Sequence, residues 1–299
     1  PTRRSSDLSS SMKDIRESDG INQVIDKFQK LSTDKDAYRG VATGFIVLDK
    51  MTNGLQKSDL IIVAARPGMG KTSIAMNIIE HAAVDEGKVC AVFSLEMPEV
   101  QIIQRLMCGV AGVSMADALA GKLKDTDWRK IAKASDKLRK SKIVIDDSSR
   151  VTPAEILSKC RRIKSRNAGQ LDLVMIDYIQ LMSSGKKNGD ENRTQEVAAI
   201  TRDLKIMAKE LDVPIIALSQ LRRIQSGEPQ LSDLRESGAI EQDADMVIFI
   251  SRPDVNASQE DIIKKKIVKG MADVIVAKHR NGAPGRFKLR FRGELTKFV

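Results

Sequence analysis

Aromatic residues are scarce in this chain: Phe, Trp and Tyr together make up 3% of 299 residues. Holding nucleic acid by stacked bases requires such rings, so the composition argues against a stacking platform as the main mode of binding. Cysteine is almost missing too. Cys90, Cys108 and Cys160 are odd in number and far apart, with neither metal-ligand spacing nor the pairing of a disulfide framework, which suits a reducing cytosol. No apolar run approaches the ~20 residues that cross a bilayer. No apolar segment with a small-residue cleavage site lies near the start. Neither a membrane nor a secreted role is expected, and the location expected is the cytoplasm.

What is present is a full-sized globular composition, with 41% apolar and 30% charged residues. Lys and Arg outnumber Asp and Glu by 50 to 40, a net charge of +10. Such an excess favours a polyanionic partner, nucleic acid first, although charge alone identifies none. With stacking disfavoured, a binder that tracks the phosphate backbone through Arg, Lys and main-chain N–H groups fits better.

Three regions follow from the pattern. Residues 1–11 are polar and Ser-rich and are expected to be disordered or a remnant of cloning; a chain opening on Pro reads as a processed or truncated piece. Across 12–37, Ile21, Val24, Ile25, Phe28 and Leu31 form a helical apolar stripe, followed by the charged connector Thr33–Asp36. This linker helix either packs on its own domain or docks on a neighbouring subunit. From 38 to 299 apolar runs alternate with amphipathic stretches, which predicts an α/β fold around a mostly parallel sheet. Strands are expected at 60–65, 89–95, 142–145, 173–177, 214–219, 246–251 and 273–277, with a period-two edge strand at 286–292. Helices are expected at 73–83, 98–110, 126–138, 153–165 and 192–210. Loops are expected at 183–191 and 223–242, the second long enough to suggest function or disorder.

The stretch Leu60 to Ser73 matches the phosphate-binding pattern G-x-x-x-x-G-K-[ST] everywhere except its first position, where Ala65 replaces Gly. Ala65 begins the turn without wrapping the phosphates and is expected to be tolerated. Pro67, Gly68, Met69, Gly70, Lys71, Thr72 and Ser73 form the candidate nucleotide loop: backbone N–H groups face a triphosphate, Lys71 places an ammonium against its β and γ phosphates, and Thr72 offers a hydroxyl to Mg2+. Asp177 ends an apolar run and would hold the same Mg2+ at a strand's C-terminal edge, where ligands of open α/β sheets bind.

Glu96 is placed by its strand at the same edge. It is either the carboxylate that orients a hydrolytic water or an acidic residue at a helix N-terminus. Gln220, closing another strand, could sense the γ phosphate; an ordinary surface Gln is the alternative. Lys278 and Arg280 share one face of a strand end by period two, and reach either a phosphate, in their own site or a neighbour's, or only solvent. Arg235 and Gly238, or else Lys186 and Lys187, are candidates for gripping a phosphate backbone; solvated loops are the alternative.

In order, Ala65-Arg-Pro-Gly-Met-Gly-Lys-Thr72, Phe93-Ser-Leu-Glu-Met97, Met175-Ile-Asp-Tyr-Ile-Gln-Leu181, Ala217-Leu-Ser-Gln-Leu221, the stretch Asp233 to Asp245, and Ala277-Lys-His-Arg-Asn-Gly282 resemble the C-terminal motor domain of the DnaB-type replicative DNA helicases over roughly residues 40–292. The resemblance implies a RecA-like fold in a homohexameric ring with ATP and Mg2+ between subunits. It implies that Lys71 and Thr72 bind phosphate and metal, Glu96 activates water, Asp177 is the Walker B carboxylate and Gln220 the γ-phosphate sensor. Lys278 and Arg280 then reach the neighbour's ATP, and Arg235, Glu236 and Gly238 grip single-stranded DNA. Primase and a helicase loader are expected partners of the full-length protein, whose N-terminal helical domain this stretch lacks. A recombination or repair ATPase of RecA type, and a nucleotide-switched ring-former without motor activity, remain the alternatives.

Overall fold

Six of the apolar runs become parallel strands, and five of them are covered on both faces; the sixth, 142–146, lies at the end of the sheet and is partly exposed. The structure is a computed structural model describing residues 15, 19–34, 39–184, 193–221, 228–234, 237–255 and 267–299. The expectations at 1–11, Lys186, Lys187, Arg235 and Glu236 fall outside the described residues. Two units are distinguished, Pro1–Arg39 and Gly40–Val299. In the first, α1 (Gly20–Thr33) is helical as the stripe predicts, and Ile21, Val24, Ile25 and Phe28 are exposed.

In the second unit the parallel strands are β1 (Leu60–Ala65), β2 (Val89–Ser94), β3 (Lys142–Asp146), β4 (Leu173–Asp177), β5 (Ile215–Gln220) and β6 (Met246–Ser251). β7 (Met271–His279), β8 (Gly285–Arg292) and β9 (Lys297–Phe298) extend the sheet in antiparallel fashion, giving the order β3-β2-β4-β5-β1-β6-β7-β8-β9. Alternation sends Ile61, Val63 and Ala65 into one core and Leu60, Ile62 and Ala64 into the other. Burial on both faces explains why these strands read as continuous apolar runs rather than alternating ones.

One face carries α2 (Ile46–Thr52), α3 (Lys71–Glu80) and α4 (Glu99–Ala111), with α5 (Met115–Leu119) and α6 (Asp125–Lys140) beyond them. The other carries α7 (Pro153–Arg166), α8 (Arg193–Leu211) and α9 (Ser237–Asp243). Local chemistry sets several ends. α7 starts at a reciprocal cap, in which the Thr152 hydroxyl accepts from Glu155 N and the Glu155 carboxylate accepts from Thr152 N, with Pro153 in the first turn. α4 stops at Gly112, whose φ is +62°.

Two expectations need correction. The stretch 223–242 is not loop throughout: α9 begins at Ser237, because Ile240 is fully buried in the core beneath α8 and a short helix accommodates it. Strand β7 runs on to His279 and carries a bulge, with Val247 opposite Lys278 and Ile248 opposite Val276, so Ala277 is the extra residue.

The final strand closes onto the nucleotide loop. Phe298 is buried, meets Phe291 with ring centres 4.9 Å apart and planes tilted by 54°, and stands where a Cβ on Gly70 would come within 2.8 Å of its ring. Its backbone N–H donates to Asn77 Oδ1 at 2.8 Å, and Lys297 pairs with Glu80 at 2.7 Å, both on α3. Phe298→Ala should lower stability by about 3 kcal/mol through the cavity it leaves. A denaturation midpoint within error of the parent's would contradict this packing role.

Candidate nucleotide site

Parallel strands all present their C-terminal ends at one edge. There Ser94 lies opposite Asp177, and Ala65 opposite Gln220. Ala65 is the buried last residue of β1 and is outside the positive-φ region, so the missing glycine carries no conformational cost. Gly68 and Gly70 have φ of +77° and +97°. A Cβ on Gly68 would meet nothing within 4 Å; its glycine serves the backbone turn and leaves the concave side open.

Lys71 and Thr72 open α3 and converge on Asp177. Thr72 Oγ1 donates to Asp177 Oδ2 at 2.7 Å, while Lys71 Nζ lies 3.2 Å from Oδ1. Asp177 is only 2% exposed, so this cation and hydroxyl compensate a carboxylate that burial would otherwise penalise. The Lys71 ammonium also sits 4.3 Å above the centre of the Tyr178 ring. An adjacent hydroxyl and carboxylate are the hard oxygen donors that Mg2+ takes alongside nucleotide phosphates, and among the described residues no cluster of three or more His, Cys, Asp or Glu competes for a metal.

Glu96 stands two residues beyond β2 and is exposed. Ser94 Oγ donates to Met97 O at 2.7 Å and accepts from Met97 N at 3.1 Å, which closes the turn carrying Glu96. Leu95 N donates to Asp177 O at 2.8 Å, tying that turn to the end of β4. Because α4 begins only at Glu99, Glu96 is outside its first turn. Gln220 is held through Gln180, which went unnoticed in the sequence: its amide donates to Ser219 Oγ at 2.9 Å and accepts from Gln220 N at 3.3 Å. Its position within the stretch following Asp177 was the available signal.

Lys278 and Arg280 are not with this group. β7 runs against β6, so its C-terminal end meets the start of the parallel strands, and Met246 pairs with His279. Arg280 N donates to Asp245 O at 2.8 Å, and the Asp245 carboxylate accepts from Leu60 N at 2.8 Å. These two cations are separated from their own chain's nucleotide loop by the length of β1, roughly 17 Å at ~3.3 Å per residue. Lys278 Nζ donates to the Glu241 and Gln242 carbonyls at the end of α9, at 2.5 and 3.4 Å. Burial lowers the pKa of His279 between them.

The same edge holds charges that the sequence did not single out. Lys205 bonds the Asp245 carboxylate and donates to Ser58 O at 2.8 Å; the Arg280 guanidinium pairs with Asp245 at 3.5 Å. Asp59, nearby, has its pKa raised from 3.8 to about 6, by burial first and then by the Asp245 charge, against Lys205 and Arg280. Burial also pushes the Cys90 and Cys160 thiols up to about 12, leaving them protonated and unreactive. Gly238 is exposed, with open space where a Cβ would stand.

Residues 40–299 match the model of the DnaB-like helicase C-terminal domain. The chain is 47% identical over 287 residues to the replicative DNA helicase DnaB of Pasteurella multocida (strain Pm70), covering 93% of this chain and 59% of that protein. It is 41% identical to DnaB of Geobacillus stearothermophilus, covering 99% and 63%. The chain therefore spans about three-fifths of these curated relatives. Among solved structures, the ATPase domain of G40P superposes with a TM-score of 0.86 at 37% identity, covering 95% of this chain and 98% of that one. A DnaB-like replicative helicase, solved in a study of its interactions with primase, gives 0.83 at 36% identity, covering 97% and 68%. The fold is of the RecA-like P-loop type.

Because folded Asp59 holds its proton more tightly than the unfolded chain does, its contribution to stability is complete below pH 3.8 and is lost as pH rises through about 6. Asp59→Asn should therefore gain stability relative to the parent between pH 4 and pH 8, by about 1–3 kcal/mol. Thermal midpoints across that range provide the check, and a pH-independent difference would refute the assignment.

Proposed function

The chain belongs to the DnaB-like helicase C-terminal domain family, and on that footing we propose that it is the motor of an ATP-driven, hexameric replicative helicase that translocates on single-stranded DNA and unwinds duplex. One observation carries the reading. The nucleotide loop and the cations suited to completing it lie at opposite edges of one sheet, so a whole site requires two copies of the chain.

In this reading the backbone N–H groups of Gly68–Ser73 and the Lys71 ammonium cradle the phosphates, Pro67 having no N–H to give. Thr72 and Asp177 would hold Mg2+, which when bound would supply positive charge against the nucleotide phosphates. Lys71, paired with Asp177 in the structure, exchanges that carboxylate for phosphate oxygens. Glu96 orients the attacking water and accepts its proton. Lys278 and Arg280 of one subunit face the γ phosphate of the next, where they stabilise charge as the terminal bond breaks. Gln220 senses that phosphate and transmits its state: the strand continues into Leu221, which bridges to Leu234, directly before Arg235. Arg235, Glu236 and Gly238 grip the DNA backbone, and the open space beside Gly238 supports a close approach by phosphate. The exposed apolar stripe of α1 supports docking on a neighbouring subunit. Primase and a loader are proposed as partners of the full-length protein, and the cytoplasm as its location.

Lys71→Ala should reduce ATP hydrolysis by about 10²-fold or more; near-normal turnover would remove the nucleotide-loop assignment. Action across the interface is tested by mixing. Arg280→Ala and Glu96→Ala chains, each strongly impaired but measurable alone, should recover activity together, because one interface type then combines an intact Glu96 with an intact Arg280. Absence of any recovery would place Arg280 outside the neighbour's site.

A further inference from the structure

We propose that Asp245 is the positioning residue of Arg280, and that Lys205 is the competing cation which keeps Asp245 from locking Arg280 in place; this rests on the reading of Arg280 as the residue acting on a neighbour's ATP. An exposed Arg side chain has many rotamers, and ordering it at the moment of reaction costs entropy. Here that disorder is reduced twice. The Arg280 backbone N–H is fixed to Asp245 O at 2.8 Å, and its guanidinium faces Asp245 Oδ1 at 3.5 Å. Asp245 is itself rigid, since its carboxylate is 5% exposed and accepts from Leu60 N at the start of the central strand.

Lys205 decides how firmly Asp245 holds on. Its ammonium, 15% exposed, takes Asp245 Oδ2 closely, whereas Arg280 remains at the other oxygen with its side chain 65% exposed. The carboxylate's charge is therefore already met from inside the fold. Arg280 is aimed by a carboxylate it can leave, and its remaining N–H groups face outward. Without Lys205, the same carboxylate would depend on Arg280 and hold it inward. Without the Asp245 charge, Arg280 would keep its place in the chain but lose its aim.

Steady-state ATP hydrolysis by the parent chain, Asp245→Asn, Arg280→Ala and the double variant tests this. Asn keeps an oxygen for Leu60 N. Asp245→Asn should lower kcat about tenfold, in the range shown by coupled neighbouring charges, with KM within about twofold of the parent because the phosphate cradle of Gly68–Thr72, which the other subunit supplies, is untouched. In the Arg280→Ala background the same change should have no further effect on kcat. An unchanged kcat in Asp245→Asn, or a full additional loss in the double variant, overturns the inference. If Arg280→Ala itself leaves kcat unaltered, the reading of Arg280 fails first and the inference falls with it. Should Asp245→Asn not fold, Lys205→Met replaces it: kcat should fall with Arg280 present and show no additional change when Arg280 is Ala, and any other result overturns the role of the pair.

Discussion

Parallel strands buried on both faces can deliver functional groups only at their ends, and every strand running the same way ends at the same edge. That constraint brings Ser94, Asp177, Gln220 and Ala65 side by side, though they are far apart in sequence. It also makes Asp177 a buried carboxylate, which must find compensation. Lys71 and Thr72 supply it, so the buried carboxylate fixes the side chains that open α3.

The same constraint removes Lys278 and Arg280 from their own nucleotide site. An antiparallel strand beside a parallel sheet ends at the opposite edge, and β7 does so next to Asp245. The two edges are connected through the strands between them: Leu60 N is bonded to Asp245 while Ala65, at the other end of β1, opens the nucleotide loop.

The few aromatic rings are consistent with a protein that does not use them for bases. Phe93, Phe249, Phe287 and Phe298 are buried in the cores, and Phe298 supports Gly70 from beneath. The strands were legible because long apolar runs bounded by turn residues are the mark of a doubly covered sheet. The short elements were not. α2, α5, α9 and β9 span seven, five, seven and two residues, too few for periodicity to register, and they exist because tertiary contacts fix them, as burial of Ile240 does for α9.

Sequence alone pointed to a phosphate-binding loop, because Gly68, Gly70, Lys71 and Thr72 are close neighbours in one local pattern, and it marked Asp177 as the last residue of an apolar run. Strand periodicity placed Lys278 and Arg280 on one face, whereas in the structure the strand ends at His279, Arg280 lies in the turn beyond it, and the two cations bond different partners, Lys278 the end of α9 and Arg280 Asp245. What only the tertiary structure decided was direction and company. The antiparallel course of β7 put those cations at the far edge, and Lys205 and Asp59 joined Asp245 there from separate parts of the chain. Strand direction and buried charge pairing are long-range properties, set by which segments pack together, and no local spacing encodes them.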